Sequence, residues 1–249
     1  MPVLGVIPAR LASSRLPNKP LLPLAGEPLI LLVARRVADC GVCDRLVVAT
    51  DAPEIARVVR GAGFEAVLTS PSHQSGTERT AEVIAKKDFM GFQFILNVQG
   101  DEAFVAGAAV LGALACLERG EPLGTAAAPL AAALAADPNR VKVVVNQQGR
   151  AVYFSRAPIP FDCDGAGHGS YRQHVGVYAY TRAALERWVT LPPVPEERSE
   201  RLEQLRPLLH GIPMGVALLD QPAARGIDTP EDLKWAEAHL TRHLKEVSP

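Results

Sequence analysis

The sequence predicts an α/β fold: a mainly parallel sheet covered by helices on both faces. Two patterns in the first half carry that prediction. Short continuous apolar runs read as strands buried on both sides, and amphipathic segments of helical spacing lie between them. A third observation is that polar residues follow three of these runs directly, at Arg10, at Asp51 and at Gln99-Gly100-Asp101-Glu102. Right-handed crossovers would bring those strand ends to one edge, where such sheets bind ligands.

The elements follow in order. Residues 3–7 form the first buried strand, and Ile30, Val33, Ala34 and Val37 put an apolar stripe on the first long helix. A strand at 46–49 leads to a helix at 53–60, a strand at 65–68 to a helix at 78–86, and a strand at 92–98 to a helix at 106–117. After Pro129 the pattern changes. Residues 141–145 and 151–154 are β-rich runs joined by Asn146-Gln147-Gln148-Gly149-Arg150, which reads as a hairpin. A Pro/Gly/Asp loop at 158–170 precedes a strand at 175–180, helical segments at 183–189 and 199–210, and a short strand at 215–218. Thr229 followed by Pro230 has the form of a helix start. We expect a single domain over 1–249, with a β-rich insertion at approximately 129–180 that serves as a lid or dimer arm.

Composition narrows the function. A chain of 249 residues with 48% apolar and 21% charged residues forms a folded core rather than a disordered chain. Its 26 basic and 27 acidic residues give a net charge of −1, which offers no surface-wide attraction for nucleic acid or membrane. The apolar run at 3–7 is too short for a signal peptide, and the run at 28–34 ends at Arg35 and Arg36, so no membrane insertion and a cytoplasmic location are expected. Cys40 and Cys43 make one C-x-x-C at the end of a helical pattern, while Cys116 and Cys163 stand apart. Without a second pair for zinc, these read as structural thiols.

Three segments carry chemistry. The first, Pro8-Ala9-Arg10-Leu11-Ala12-Ser13-Ser14-Arg15-Leu16-Pro17-Asn18-Lys19-Pro20, gathers three cations with no acid until Glu27. Its small residues let backbone N–H groups approach an anion, which suits a polyphosphate after a strand end better than a merely solvated basic loop. The second, Asn97-Val98-Gln99-Gly100-Asp101-Glu102, places carboxylates where Mg²⁺ could meet phosphate oxygens; each acid taken singly is more commonly a helix cap or turn acid. The third is Gly226-Ile227-Asp228-Thr229-Pro230-Glu231-Asp232. Here Asp228 is either a metal ligand, with Thr229 as the cap, or is itself the cap.

These segments together resemble a known family. I-P-A-R-L-A-S-S-R-L-P-N-K-P at 7–20, V-A-T-D at 48–51, S-H-Q-S-G-T-E-R at 72–79 and N-V-Q-G-D-E at 97–102 look like the 3-deoxy-manno-octulosonate cytidylyltransferase (CMP-Kdo synthetase) family. So do Y-F-S-R at 153–156, H-V-G-V-Y at 174–178, L-E-Q-L-R at 202–206 and G-I-D-T-P-E-D-L at 226–233. The resemblance implies a Rossmann-like nucleotide-diphospho-sugar transferase fold, a homodimer, and transfer of CMP from CTP to Kdo with Mg²⁺, the activation step for placing Kdo in lipopolysaccharide. It implies that Arg10, Arg15 and Lys19 hold the triphosphate, with Pro8 and Ala9 beside them and Ser75, Gly76, Thr77 and Arg79 near the cytidine. It implies Mg²⁺ on Asp101 and Asp228, Gln99 beside the sugar, and Arg156, His174, Tyr178, Glu203 and Gln204 reading the Kdo carboxylate and hydroxyls. Ala103 stands where a Pro is usual, and Asp137 where an Asn is usual. A related sugar acid (8-amino-Kdo or a sialic acid), or a nucleotide-binding module without turnover, remains an alternative.

Overall fold

The computed structural model describes residues 1–11, 16–163, 165, 171–224 and 226–247, with side chains up to 240. Its first half is the expected alternation. It runs through β1 (Val3–Ala9), a two-strand ribbon of β2 (Pro23–Leu24) and β3 (Glu27–Pro28), α1 (Leu29–Asp39), β4 (Arg45–Thr50), α2 (Pro53–Gly61) and β5 (Glu65–Leu68). Then come α3 (Gly76–Ala85), β6 (Phe94–Val98) and α4 (Gly107–Glu118). β1 is buried over its whole length, and β1, β4, β5 and β6 pair in parallel, as continuous apolar runs require.

The second half contains β7 (Leu123–Leu130), β8 (Lys142–Val145), β9 (Ala151–Ser155) and β10 (Tyr171–Thr181). It continues with α5 (Arg182–Thr190), α6 (Pro195–Glu200), α7 (Leu205–Leu209), β11 (Met214–Leu218) and α8 (Pro230–Val247). The sheet runs β11-β7-β10-β6-β1-β4-β5, and β8 and β9 hang from the beginning of β10. Six of these seven strands are parallel; β10 runs against both its neighbours. One core packs under α1, α2, α4 and α8, the other under α3, α5 and α7, so helices cover both faces.

Three features differ from the expectation. The strand β7 was not anticipated, because L-G-T-A-A-A-P-L lacks the branched and aromatic residues that mark strands. Small residues are what its place demands: α4 lies so close that a Cβ on Gly124 would sit 2.2 Å from the Ala113 carbonyl oxygen. β10 reaches well beyond 175–180. The helix expected at 199–210 is two helices, because Arg201 adopts a left-handed φ of 53° and stops α6. The resulting turn at 202–204 faces the site. Among the described residues no helix is long and apolar enough to cross a membrane. All four cysteines are free, and burial pushes the Cys43 thiol up to about 12, the environment of a structural thiol rather than a nucleophile.

Candidate active site

The ends of β1 and β6 open onto two adjoining cavities. The first, of about 520 Å³, is lined by Pro8, Ala9, Arg10, Lys19, Ser75, Gly76 and Arg79 among others. The second, of about 290 Å³, is lined by Glu102, Arg156, His174, Tyr178 and Gln204. Gln99, Asp101, Leu202, Glu203 and Asp228 belong to both walls, so they form the seam. Arg15 lies outside the described residues.

At the seam the segments recognised separately in the sequence meet. Asn18, at a left-handed φ of 56°, turns the chain into a short 3-10 helix that begins at Lys19. Its ammonium donates to Asp101 Oδ2 at 2.8 Å and to Asp228 Oδ1 at 2.8 Å, joining residues 82 and 209 positions away. Burial opposes the charge on Lys19, but the two carboxylates outweigh it and hold its pKa above the ordinary value. The question over Asp228 is answered by its neighbours. Thr229 Oγ1 accepts the Asp232 N–H at 3.2 Å, and Asp232 Oδ2 accepts the N–H groups of Asp228 and Thr229. Thr229 and Asp232 thus cap α8 reciprocally, and the Asp228 carboxylate points to Lys19 instead.

The nucleotide-side residues divide by depth. Ser75 caps α3, accepting the Glu78 N–H at 3.2 Å. Gly76 packs tightly, since a Cβ there would lie 2.9 Å from Pro8 Cγ and 3.1 Å from the Gln99 amide. Thr77 is buried and does not line the cavity; its hydroxyl donates to Glu203 Oε1 at 2.7 Å, bracing the seam from behind. Arg79 is also buried. It donates to Thr69 Oγ1 and, at 3.2 Å, to Asp51 Oδ2, which gives the polar residue after β4 its purpose.

The second cavity is enclosed mainly by neutral groups. Burial pushes the Glu203 carboxyl up, and burial followed by repulsion from Asp101 pushes Glu102 up to about 8. His174 touches Phe154 and Tyr178, with ring centroids 5.1 and 5.2 Å away, and burial alone lowers its pKa to about 3. The Thr125 hydroxyl donates to the Val177 carbonyl at 2.7 Å and lies 3.0 Å from His174 Nε2. With its own proton committed, Thr125 must accept from Nε2–H. That assigns the tautomer and leaves Nδ1 a lone pair, so His174 can accept from a hydroxyl but cannot pair with a carboxylate. Arg156 lines the cavity while donating to the carbonyls of Glu200, at 2.7 Å, and Pro138, at 2.8 Å. It ties the β9 end to α6 and keeps further N–H groups for a ligand.

Because the native state holds His174 neutral below its unfolded pKa, stability is full above about pH 6.5 and falls as pH drops from there towards 3. His174→Gln retains a donor towards Thr125 and should flatten the fall in melting temperature between pH 7 and 4.5. An unchanged acid slope would clear His174 of that role.

Sequence reasoning passed over Lys142, a fully buried lysine whose ammonium donates to the carbonyls of Asp137, at 3.0 Å, and Arg156. The visible signal was a lysine opening an otherwise apolar strand, K-V-V-V. Among the described residues no group of three or more His, Cys, Asp or Glu side chains is arranged to hold a metal by itself. Asp101 and Asp228 nonetheless converge on one cation, and two hard carboxylate donors suit Mg²⁺ when phosphate oxygens complete the shell.

Comparison with known proteins shows the family. The family described as cytidylyltransferase matches residues 4–214. A 3-deoxy-manno-octulosonate cytidylyltransferase of Gemmatimonas aurantiaca is 50% identical over 244 residues, covering 96% of this chain and 94% of that protein. Its counterpart in Azorhizobium caulinodans is 48% identical over 248 residues, covering 96% and 95%. A solved structure of CMP:2-keto-3-deoxy-manno-octonic acid synthetase complexed with CTP is 37% identical. It aligns with a TM-score of 0.91 over 98% of this chain and 100% of that one.

Proposed function

The chain belongs to the cytidylyltransferase family, among the 3-deoxy-manno-octulosonate cytidylyltransferases, and on that premise we propose that it transfers CMP from CTP to Kdo, releasing pyrophosphate. The observation that carries the reading is the seam. Lys19, Asp101 and Asp228 meet between a larger cavity edged by Arg10 and Arg79 and a smaller one lined by His174, Tyr178 and Gln204. That is the arrangement a reaction between a nucleoside triphosphate and a polyhydroxylated acid needs.

In this reading CTP takes the first cavity, with its triphosphate against Arg10, Arg15 and Lys19 and its base near Ser75, Gly76 and Arg79. Kdo takes the second, where His174 Nδ1 accepts a hydrogen bond from a hydroxyl and Arg156 offers its spare N–H groups to the carboxylate. Gln99, Glu203 and Gln204 fix the remaining hydroxyls. The anomeric hydroxyl then attacks the α-phosphorus in line: its oxygen bonds to phosphorus while its proton passes to solvent, the bond from the α-phosphorus to the bridging oxygen of the β-phosphate breaks, and Lys19 and Arg15 neutralise the departing pyrophosphate. Asp101 and Asp228 would hold Mg²⁺, which lowers the pKa of a bound hydroxyl and offsets phosphate charge. Positioning and charge suffice, so no protein base is assigned.

We place the product in lipopolysaccharide assembly and the enzyme in the cytoplasm, and read the exposed Val152 and Phe161 of the β-rich arm as part of a homodimer face. Light scattering tests the dimer. The reaction itself is tested by pyrophosphate release from CTP with Mg²⁺ and freshly supplied Kdo, against 8-amino-Kdo, a sialic acid and the other nucleoside triphosphates. Turnover should appear with CTP and Kdo. None above background, or a higher kcat/KM with another acid, would overturn the assignment.

A further inference from the structure

The Q-G-D-E segment after β6 and the H-V-G-V-Y segment of β10 are joined by one side chain to which the proposed reaction gives no role. The ladder between β10 and β7 slips register between Val175 and Tyr178, a bulge that deprives Gly176 of its strand partner. The Glu102 carboxyl takes the place of that partner for a partly buried N–H: Gly176 N–H donates to Glu102 Oε1 at 3.0 Å. The same residue is held from its other end, since Gln99 N–H donates to the Gly176 carbonyl at 3.0 Å. Glu102 N–H in turn donates to the Gln99 carbonyl at 3.1 Å, closing the turn that carries Asp101.

The fit also explains the glycine. Gly176 has no left-handed φ, so conformational freedom is not what its place requires. Space is the reason: a Cβ there would stand 2.5 Å from Glu102 Oε1 and 3.1 Å from its Cγ. On the far side, a Cβ on Gly100 would lie 2.7 Å from the Pro8 carbonyl oxygen, so the turn is wedged between β1 and β10 with no slack.

We propose that Glu102 is a positioning residue: its carboxyl oxygen fills the β10 bulge at Gly176 and thereby sets Gln99 at its distance from His174 and Tyr178. This rests on the reading of the second cavity as the sugar-acid site. Glu102 acts through its acceptor oxygen and its shape, so the neutral isostere must preserve the function.

The test compares wild type with E102Q, E102A, G176A and E102A/G176A. Steady-state kinetics, CTP binding without sugar acid by calorimetry, and thermal unfolding are measured for each. Losing the hydrogen bond and its register should raise KM for Kdo about tenfold or more in E102A, leave CTP affinity within twofold, and be largely restored in E102Q. G176A should be as impaired as E102A, yet add little in the E102A background, where the colliding carboxyl is gone. Unchanged KM for Kdo in E102A overturns the proposal, as does an equal loss of CTP affinity. So does an E102Q as poor as E102A, which would mean that the charge itself acts. If the wild type does not turn over Kdo, it is the functional reading that fails. The unfolding arm then decides this inference alone: G176A must lower Tm more in the wild-type background than in E102A, and equal losses overturn it.

Discussion

Replacing Asp101 or Asp228 by Asn should lower kcat for pyrophosphate release by about two to three powers of ten, with the fold intact. Each carboxylate contributes one of the two negative charges that meet at the seam, and Asn keeps the size while removing the charge. Loss of a metal-ligating carboxylate removes several kcal/mol of transition-state stabilisation, and each 1.4 kcal/mol is tenfold in rate. Stability should change little, because the three side chains retain 15–34% exposure and ion pairs of that kind contribute about 1 kcal/mol or less. The two variants should also fail together. Residues that hold one cation act as a unit, so D101N/D228N should be scarcely slower than either single variant. Pyrophosphate release at saturating CTP and Kdo, with Tm as the control, checks this. Turnover within threefold of wild type in either variant would remove that residue from the chemistry.

What the sequence showed and what it hid follow from the range of the forces involved. The strands β1, β4 and β6 were legible because burial on both faces demands nearly unbroken apolar runs. The strand β7 was not, since its alanines and glycine answer to the nearness of α4, a contact that no local pattern records. Among site residues, Asp101 could be named from its place after a strand and Asp228 from its place just before a capped helix, although a turn or cap role competed for each; their meeting at Lys19 depends on a crossover spanning most of the chain. Thr77 shows the opposite limit. Its motif marks the cavity region, yet a hydroxyl turned inwards to Glu203 differs from one turned outwards only in three dimensions. Glu203 and Gln204 reach the cavities because Arg201 breaks the helix, and an arginine at a left-handed φ leaves no mark in helical spacing.

Lys19→Met should produce two effects of opposite sign. Turnover should fall by about a hundredfold, the usual cost of deleting one stabilising group from a reacting centre. Mn²⁺, used as the probe for the proposed Mg²⁺ site in the absence of nucleotide, should bind about tenfold more tightly. The reason lies in the present occupancy of the seam. The Lys19 ammonium already sits 2.8 Å from both Asp101 and Asp228, so any cation arriving there must displace it. Two partly exposed contacts of roughly 0.5–1 kcal/mol each amount to about one power of ten in affinity. Without nucleotide Lys19 therefore competes with the metal. With CTP bound the triphosphate gives its ammonium another anion to face, and the competition is relieved. The variant should also be less stable in chelator, where two carboxylates face each other unneutralised, and should regain stability on adding Mn²⁺. Calorimetric titration with and without CTP, with Tm in EDTA, separates the outcomes. If Mn²⁺ affinity without nucleotide is unchanged or weaker in Lys19→Met, Lys19 does not stand in the metal's place, whatever happens to the rate.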